Sequence, residues 1–129
     1  MSHAEFAGLL QQCLSPDGGF HHAGHVKLAW LHLRRYPLLE ALARFRSGLK
    51  HFAESHGQAG KYHETLTIGY LLLIQERMAR MGEMNWESFV EHNPDLLDWK
   101  NSLFNKLYSQ EVLWSLEARS SFVLPDSLA

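Results

Sequence analysis

Cysteine is almost missing from this chain: Cys13 is the only one in 129 residues. A lone thiol closes no internal disulfide, which suits a reducing compartment and predicts a cytoplasmic location. Long apolar runs are missing too. The most apolar stretch, 68–74, is interrupted by Gly69 and Tyr70 and falls far short of the ~20 residues that cross a bilayer. Residues 1–5 have neither a basic start nor an apolar run, which predicts no signal peptide. No sign of charge dominates: 12 basic against 14 acidic residues give a net charge of −2. That balance offers no global attraction to nucleic acid or to an anionic membrane, so neither is expected as a partner. No Pro-, Gly- or Ser-rich stretch is long enough to act as a linker, and no segment alternates with the period of a half-buried strand. With 46% hydrophobic and 20% charged residues, the composition predicts one globular all-α domain over 1–129. A chain of this length needs no metal or disulfide merely to fold.

Several familiar chemistries are also excluded. There is no glycine-rich phosphate loop, no G-x-S-x-G and no C-x-x-C. His63-Glu64-Thr65-Leu66-Thr67 begins like H-E-x-x-H but ends in Thr67, so the zincin pair is incomplete. No glutamate is followed by histidine three residues later, which removes the carboxylate-bridged di-iron motif. Cys13 has no activating neighbour and reads as a small core residue.

What is present is a 3.6-residue period. A first helix is expected over 4–14, with Ser2 and Glu5 spaced as a capping box. The Ser15-Pro16-Asp17-Gly18-Gly19 segment then turns the chain. A second helix is expected from Phe20 or His21 to Arg35. A third starts at Pro37, carries Leu38, Leu42, Phe45, Leu49 and Phe52 on one face, and is stopped by Gly57. A fourth runs over 62–81 with Gly82 beyond its end. Asn85 caps a short helix to Glu91, Pro94 interrupts, and Ser109 caps a last helix over 110–119 before an extended tail at 122–125. The expected architecture is a compact bundle of three to four main helices with short C-terminal helices. Basic residues crowd 27–50 and acidic residues crowd 83–98. Both read first as solvated faces, and otherwise as surfaces for a protein partner.

Histidine is the abnormal residue, with nine in the chain, well above ordinary usage. On a helical wheel His21, His25, Leu28 and His32 form one stripe with His22 to one side. His21/His25 and His22/His25 are i, i+4 and i, i+3 pairs, the spacings by which a helix supplies two imidazoles to one metal. His32 lies about 10 Å of helix rise from His25 and cannot easily share an ion with it. A second piece opens the fourth helix, where His63 shares a face with Thr67 and Tyr70 while Glu64 lies one step aside. If the second and fourth helices are neighbours, His22 or His25 meets His63 and Glu64 at one end of the bundle.

The segments Phe20-His21-His22-Ala23-Gly24-His25-Val26-Lys27-Leu28-Ala29-Trp30-Leu31 and Lys61-Tyr62-His63-Glu64-Thr65-Leu66-Thr67 carry a resemblance. Together with Asn93-Pro94-Asp95-Leu96-Leu97 and Phe122-Val123-Leu124-Pro125-Asp126, they resemble a pattern of small all-α bacterial proteins. That resemblance covers most of the chain and implies no activity and no catalytic residues. In size and helix content alone the chain is also similar to helical-bundle metalloproteins of the DinB type, an analogy of architecture.

These observations lead to a transition-metal site, iron or zinc ahead of calcium, with His22, His25 and His63 as ligands and His21 as substitute for His22. Glu64 is a fourth ligand or a base on bound water, and Tyr62 and Thr67 are hydrogen-bonding neighbours. The chemistry expected is metal-assisted hydrolysis or an oxygen-dependent step on a small molecule. Two alternatives stand beside it: a metal-free small-molecule pocket using His25 and His63, and a helical protein-interaction module. A homo-oligomer is compatible with all three.

Overall fold

A computed structural model describes residues 3–127. The chain is all-α: α1 (His3–Gln11), α2 (His22–Arg35), α3 (Leu38–Ser55) and α4 (Glu64–Met81) are followed by five short helices. These are α5 (Trp86–His92), α6 (Pro94–Leu97), α7 (Phe104–Leu107), α8 (Gln110–Leu113) and α9 (Leu116–Ser120). There is no strand among the described residues, and no helix is long and apolar enough to cross a membrane.

Helix boundaries follow local chemistry. The 15–19 turn closes with Ser15 N–H donating to the Gly19 carbonyl (2.9 Å), and Gly18 takes φ +83°, a conformation only glycine adopts without penalty. Pro37 stands just before α3 as its cap rather than inside the first turn. Asn85 caps α5 by accepting from Ser88 N–H (2.8 Å). The capping box expected for α1 rests on Ser2, which lies outside the described residues. Glu5 accepts instead from Arg44 (2.9 Å) and the Tyr36 hydroxyl (3.2 Å).

Two boundaries differ from expectation. α1 stops at Gln11 rather than Leu14, because Gln12 and Cys13 tighten the last turn by donating to the Leu9 and Leu10 carbonyls. The helix expected over 110–119 is two helices. Ser115 Oγ donates back to the Val112 carbonyl (2.7 Å) and accepts from Ala118 N–H (3.1 Å). A serine hydroxyl that serves both ends stops one helix and starts the next.

α2 is the central element and packs against α1, α3, α4 and α6. Its Val26, Leu28 and Ala29 are buried against Phe45 and Leu49 of α3, Leu71 and Ile74 of α4, and Phe89 and Leu96 of the following helices. His32 is sealed in this core, donating from Nδ1 to the Leu28 carbonyl (2.8 Å). Cys13 is buried, and burial pushes its thiol up to about 11, consistent with a core residue. Arg77 of α4 fixes the next two helices, donating to Asn93 Oδ1 (2.8 Å) and to both Asp95 oxygens (3.0 and 2.7 Å). Asn93 is fully buried and passes the link to the Phe89 carbonyl (2.9 Å).

The tail is stitched back onto α4. Thr65 Oγ1 donates to the Ser121 carbonyl (3.0 Å) and accepts from Val123 N–H (3.1 Å). The basic 27–50 segment spends three arginines on internal ion pairs, Arg34 on Glu83, Arg44 on Glu5 and Glu40, and Arg46 on Glu64.

Gly24, between His22 and His25, touches the loop after α1. A Cβ there would lie 2.3 Å from the Cys13 carbonyl oxygen, a backbone atom that cannot swing aside. Gly24→Ala is expected to cost about 1–3 kcal/mol in urea unfolding. Gly60→Ala, where a Cβ meets nothing within 4 Å, is expected to change little.

A candidate ligand cleft between the second and fourth helices

α2 and α4 pack side by side, and a cleft of about 670 Å³ opens between their N-terminal ends. His21, His22, His25 and His63 all line it. Its remaining walls are largely aromatic: Phe20, Phe52, Tyr62, Tyr70, Trp99 and Trp114. The histidines therefore converge as their spacing predicts, but their ring nitrogens have different occupations.

His63 is committed on both sides. It is the N-cap of α4, so its Nδ1 accepts from Leu66 N–H (3.1 Å). Nε2 must then carry the proton, and it donates to the Leu113 carbonyl (2.6 Å). One imidazole thus caps a helix and ties α8 to it, with Trp114 set edge-on at 5.2 Å. Burial holds its pKa below the usual histidine range. Thr67 belongs to the same cap, donating to the His63 carbonyl (2.7 Å).

Glu64 does not line the cleft. It is buried and turned toward α3, where Arg46 Nε donates to Oε1 (3.1 Å) and Arg46 Nη2 to Oε2. Tyr62 also donates its hydroxyl to Oε1 (2.5 Å). Burial alone would raise the carboxyl's pKa, but the bonds from Arg46 and Tyr62 outweigh it and keep the group ionised. Burial and the adjacent carboxylate lift the Tyr62 phenol well above the usual tyrosine range. The ring of Tyr62 walls the cleft while its proton is spent on Glu64.

His21 is exposed and pairs with Asp17 (3.0 Å). His22 donates from Nε2 to the Leu96 carbonyl (2.9 Å), which leaves Nδ1 as an acceptor. Its ring lies 5.0 Å from both Tyr70 and Trp99. Burial lowers its pKa.

His25 has no hydrogen-bond partner on either nitrogen among the described residues and stacks on Phe20 at 4.0 Å. Solvent reaches the ring through the cleft, yet the surrounding protein burdens the charged form. Burial first, then His22 and His21, bring its pKa to about 4. At neutral pH His25 is an uncharged donor and acceptor facing the cleft.

Among the described residues no set of three or more His, Cys, Asp and Glu side chains is arranged to hold a metal ion. A centre built on His25, His63 and Glu64 would need His63 to release at least one of its two hydrogen bonds and Glu64 to leave Arg46. Each buried group so stranded costs about 1–3 kcal/mol. No protein-family model matches the chain, and no similar protein was found among curated proteins or solved structures.

Trp99, Trp114, Lys61 and Gln58 line the cleft without standing out in the sequence as site residues. The one available signal was the pair of tryptophans in short segments with no helical apolar stripe to occupy. Both are substantially exposed.

His25 gives the pH dependence a definite sign. Its folded-state pKa lies below the unfolded value, so the unfolded chain takes up the proton first. This contribution to stability is full above about 6.5 and is lost as the pH falls from about 6.5 to about 4. Urea unfolding through that window is expected to show a smaller loss for His25→Gln than for the parent. Parallel curves would mean that the cleft leaves the ring unperturbed.

Proposed function

We propose that the chain binds a small, largely apolar organic molecule in this cleft without a metal ion. His25 and the Nδ1 atom of His22 are then its hydrogen-bonding groups. The carrying observation is that His25 stands unpartnered in an aromatic-walled cleft, while His63 and Glu64 are held by the fold. A volume of about 670 Å³ lies within the ~300–1,000 Å³ common for small-molecule sites. A few polar groups among aromatic walls is also the composition such sites have.

The neutral fluorescent probe N-phenyl-1-naphthylamine tests this reading, with elemental analysis of the same untagged, chelator-free preparation. Saturable one-site binding is expected, weakened about fivefold or more in His25→Ala by loss of a stacked ring and a hydrogen bond. Glu64→Gln is expected to keep the affinity within about twofold while losing about 1–3 kcal/mol of stability. Absence of saturable binding, equal binding by His25→Ala, or near-stoichiometric iron or zinc that disappears in His25→Ala would overturn the reading.

A further inference from the structure

The charges around the cleft are arranged unequally. No carboxylate lines it, and the nearby carboxylates are engaged by the protein itself. Asp17 holds His21, Glu64 holds Arg46 and Tyr62, and Asp98 accepts from the backbone N–H (3.0 Å) and side chain (3.3 Å) of Asn101.

The cations at the same end have no such partners. Lys61, on the short 3-10 turn Ala59–Lys61, lines the cleft and is exposed. Lys50 reaches over the Tyr62 ring (5.7 Å to its centre). Arg119 lies over Trp114 (5.5 Å) and donates to the Gly60 carbonyl (3.2 Å), beside Lys61. None of the three forms an ion pair among the described residues. A largely aromatic interior thus opens onto a mouth whose lining holds Lys61 and no carboxylate, while Asp98, held by the neutral Asn101, keeps its charge outside the lining near His22 and Tyr70.

Resting on the ligand-pocket reading above, we propose that the cleft selects planar aromatic carboxylates. The ring lies among Phe20, Tyr70, Trp99 and Trp114, and the carboxylate meets Lys61 at the mouth. Aromatic faces also attract cations, but a cationic ligand would find no carboxylate in the lining and would meet Lys61 there. An anion finds the reverse. The binding is non-covalent, and the neutral imidazoles inside accept or donate hydrogen bonds to ring substituents without placing a second charge against the carboxylate.

Three isosteric probes separate the ligand class from the pocket itself: 2-naphthoate, neutral 2-naphthamide and 2-naphthylmethylammonium, titrated calorimetrically into the full chain. The naphthoate is expected to bind roughly 1.5-fold to fivefold tighter than the amide, the range of one exposed ion pair, with the ammonium weakest. In Lys61→Gln, an exposed turn position whose loss should leave the fold intact, the advantage of the carboxylate is expected to shrink toward parity. In Lys61→Glu the order should invert.

Equal binding of carboxylate and amide by the parent, or tightest binding of the ammonium, overturns the charge selectivity and leaves the pocket standing. An advantage that persists undiminished in both Lys61 variants overturns the assignment to Lys61. Failure of all three probes to bind the parent overturns the pocket and the selectivity together.

Discussion

The hydrogen bonds of one imidazole hold the cleft end of this protein together. His63 accepts from the first turn of α4 and donates to the Leu113 carbonyl, so a single ring sets where α4 starts and where α8 rests against it. The short C-terminal helices bury Phe104, Tyr108 and Leu113 against Tyr70 of α4, but isolated helices of that length are marginal in water. They depend on such tethers. Thr65 supplies another to the tail, and Tyr108 a third by donating to the Val123 carbonyl (2.6 Å). Trp114, the residue after Leu113, is thereby brought to the rim of the cleft.

A division of labour among similar residues follows. Of the histidines at this end, His63 is structural, His21 belongs to the 15–19 turn through Asp17, and His22 is half-committed to the Leu96 carbonyl. His25 alone keeps both nitrogens for the cleft among the described residues. Glu64 shows the same logic in a carboxylate. Burial would neutralise it, but Arg46 and Tyr62 keep it charged and facing away. With Glu64 turned toward α3, the lining of the cleft holds Lys61 and no carboxylate, so the packing of α3 against α4 shapes the electrostatics of the mouth.

The helical layout was readable because periodic apolar faces and end signals agree along the first four helices. Pro37, Gly57, Gly82 and Asn85 each stand near the boundary they mark. The convergence of His21, His22, His25 and His63 was readable too, from i, i+3 and i, i+4 spacing once α2 and α4 are neighbours. The state of each ring nitrogen was not. His63 occupies the cap position before α4 rather than its first turn, and that shift of two residues in the helix start makes the ring a cap. Its partner at Leu113 is fifty residues away, beyond any local pattern. Glu64 turned toward α3 because Arg46 lies there, a pairing that helix periodicity does not encode. Trp99 and Trp114 come from short segments whose placement depends on long-range hydrogen bonds.

The central claim is that His63 belongs to the fold and His25 to the cleft. Long-range 1H–15N correlation spectra of the histidine side chains, recorded across pH and again after one equivalent of zinc, test it most directly. His63 is predicted to hold the Nε2–H tautomer and to ignore zinc, while His25 titrates near 4. A His63 ring in the Nδ1–H tautomer, or zinc shifting His63 and His25 together at stoichiometric metal, would contradict the account and restore the two rings to a shared metal site.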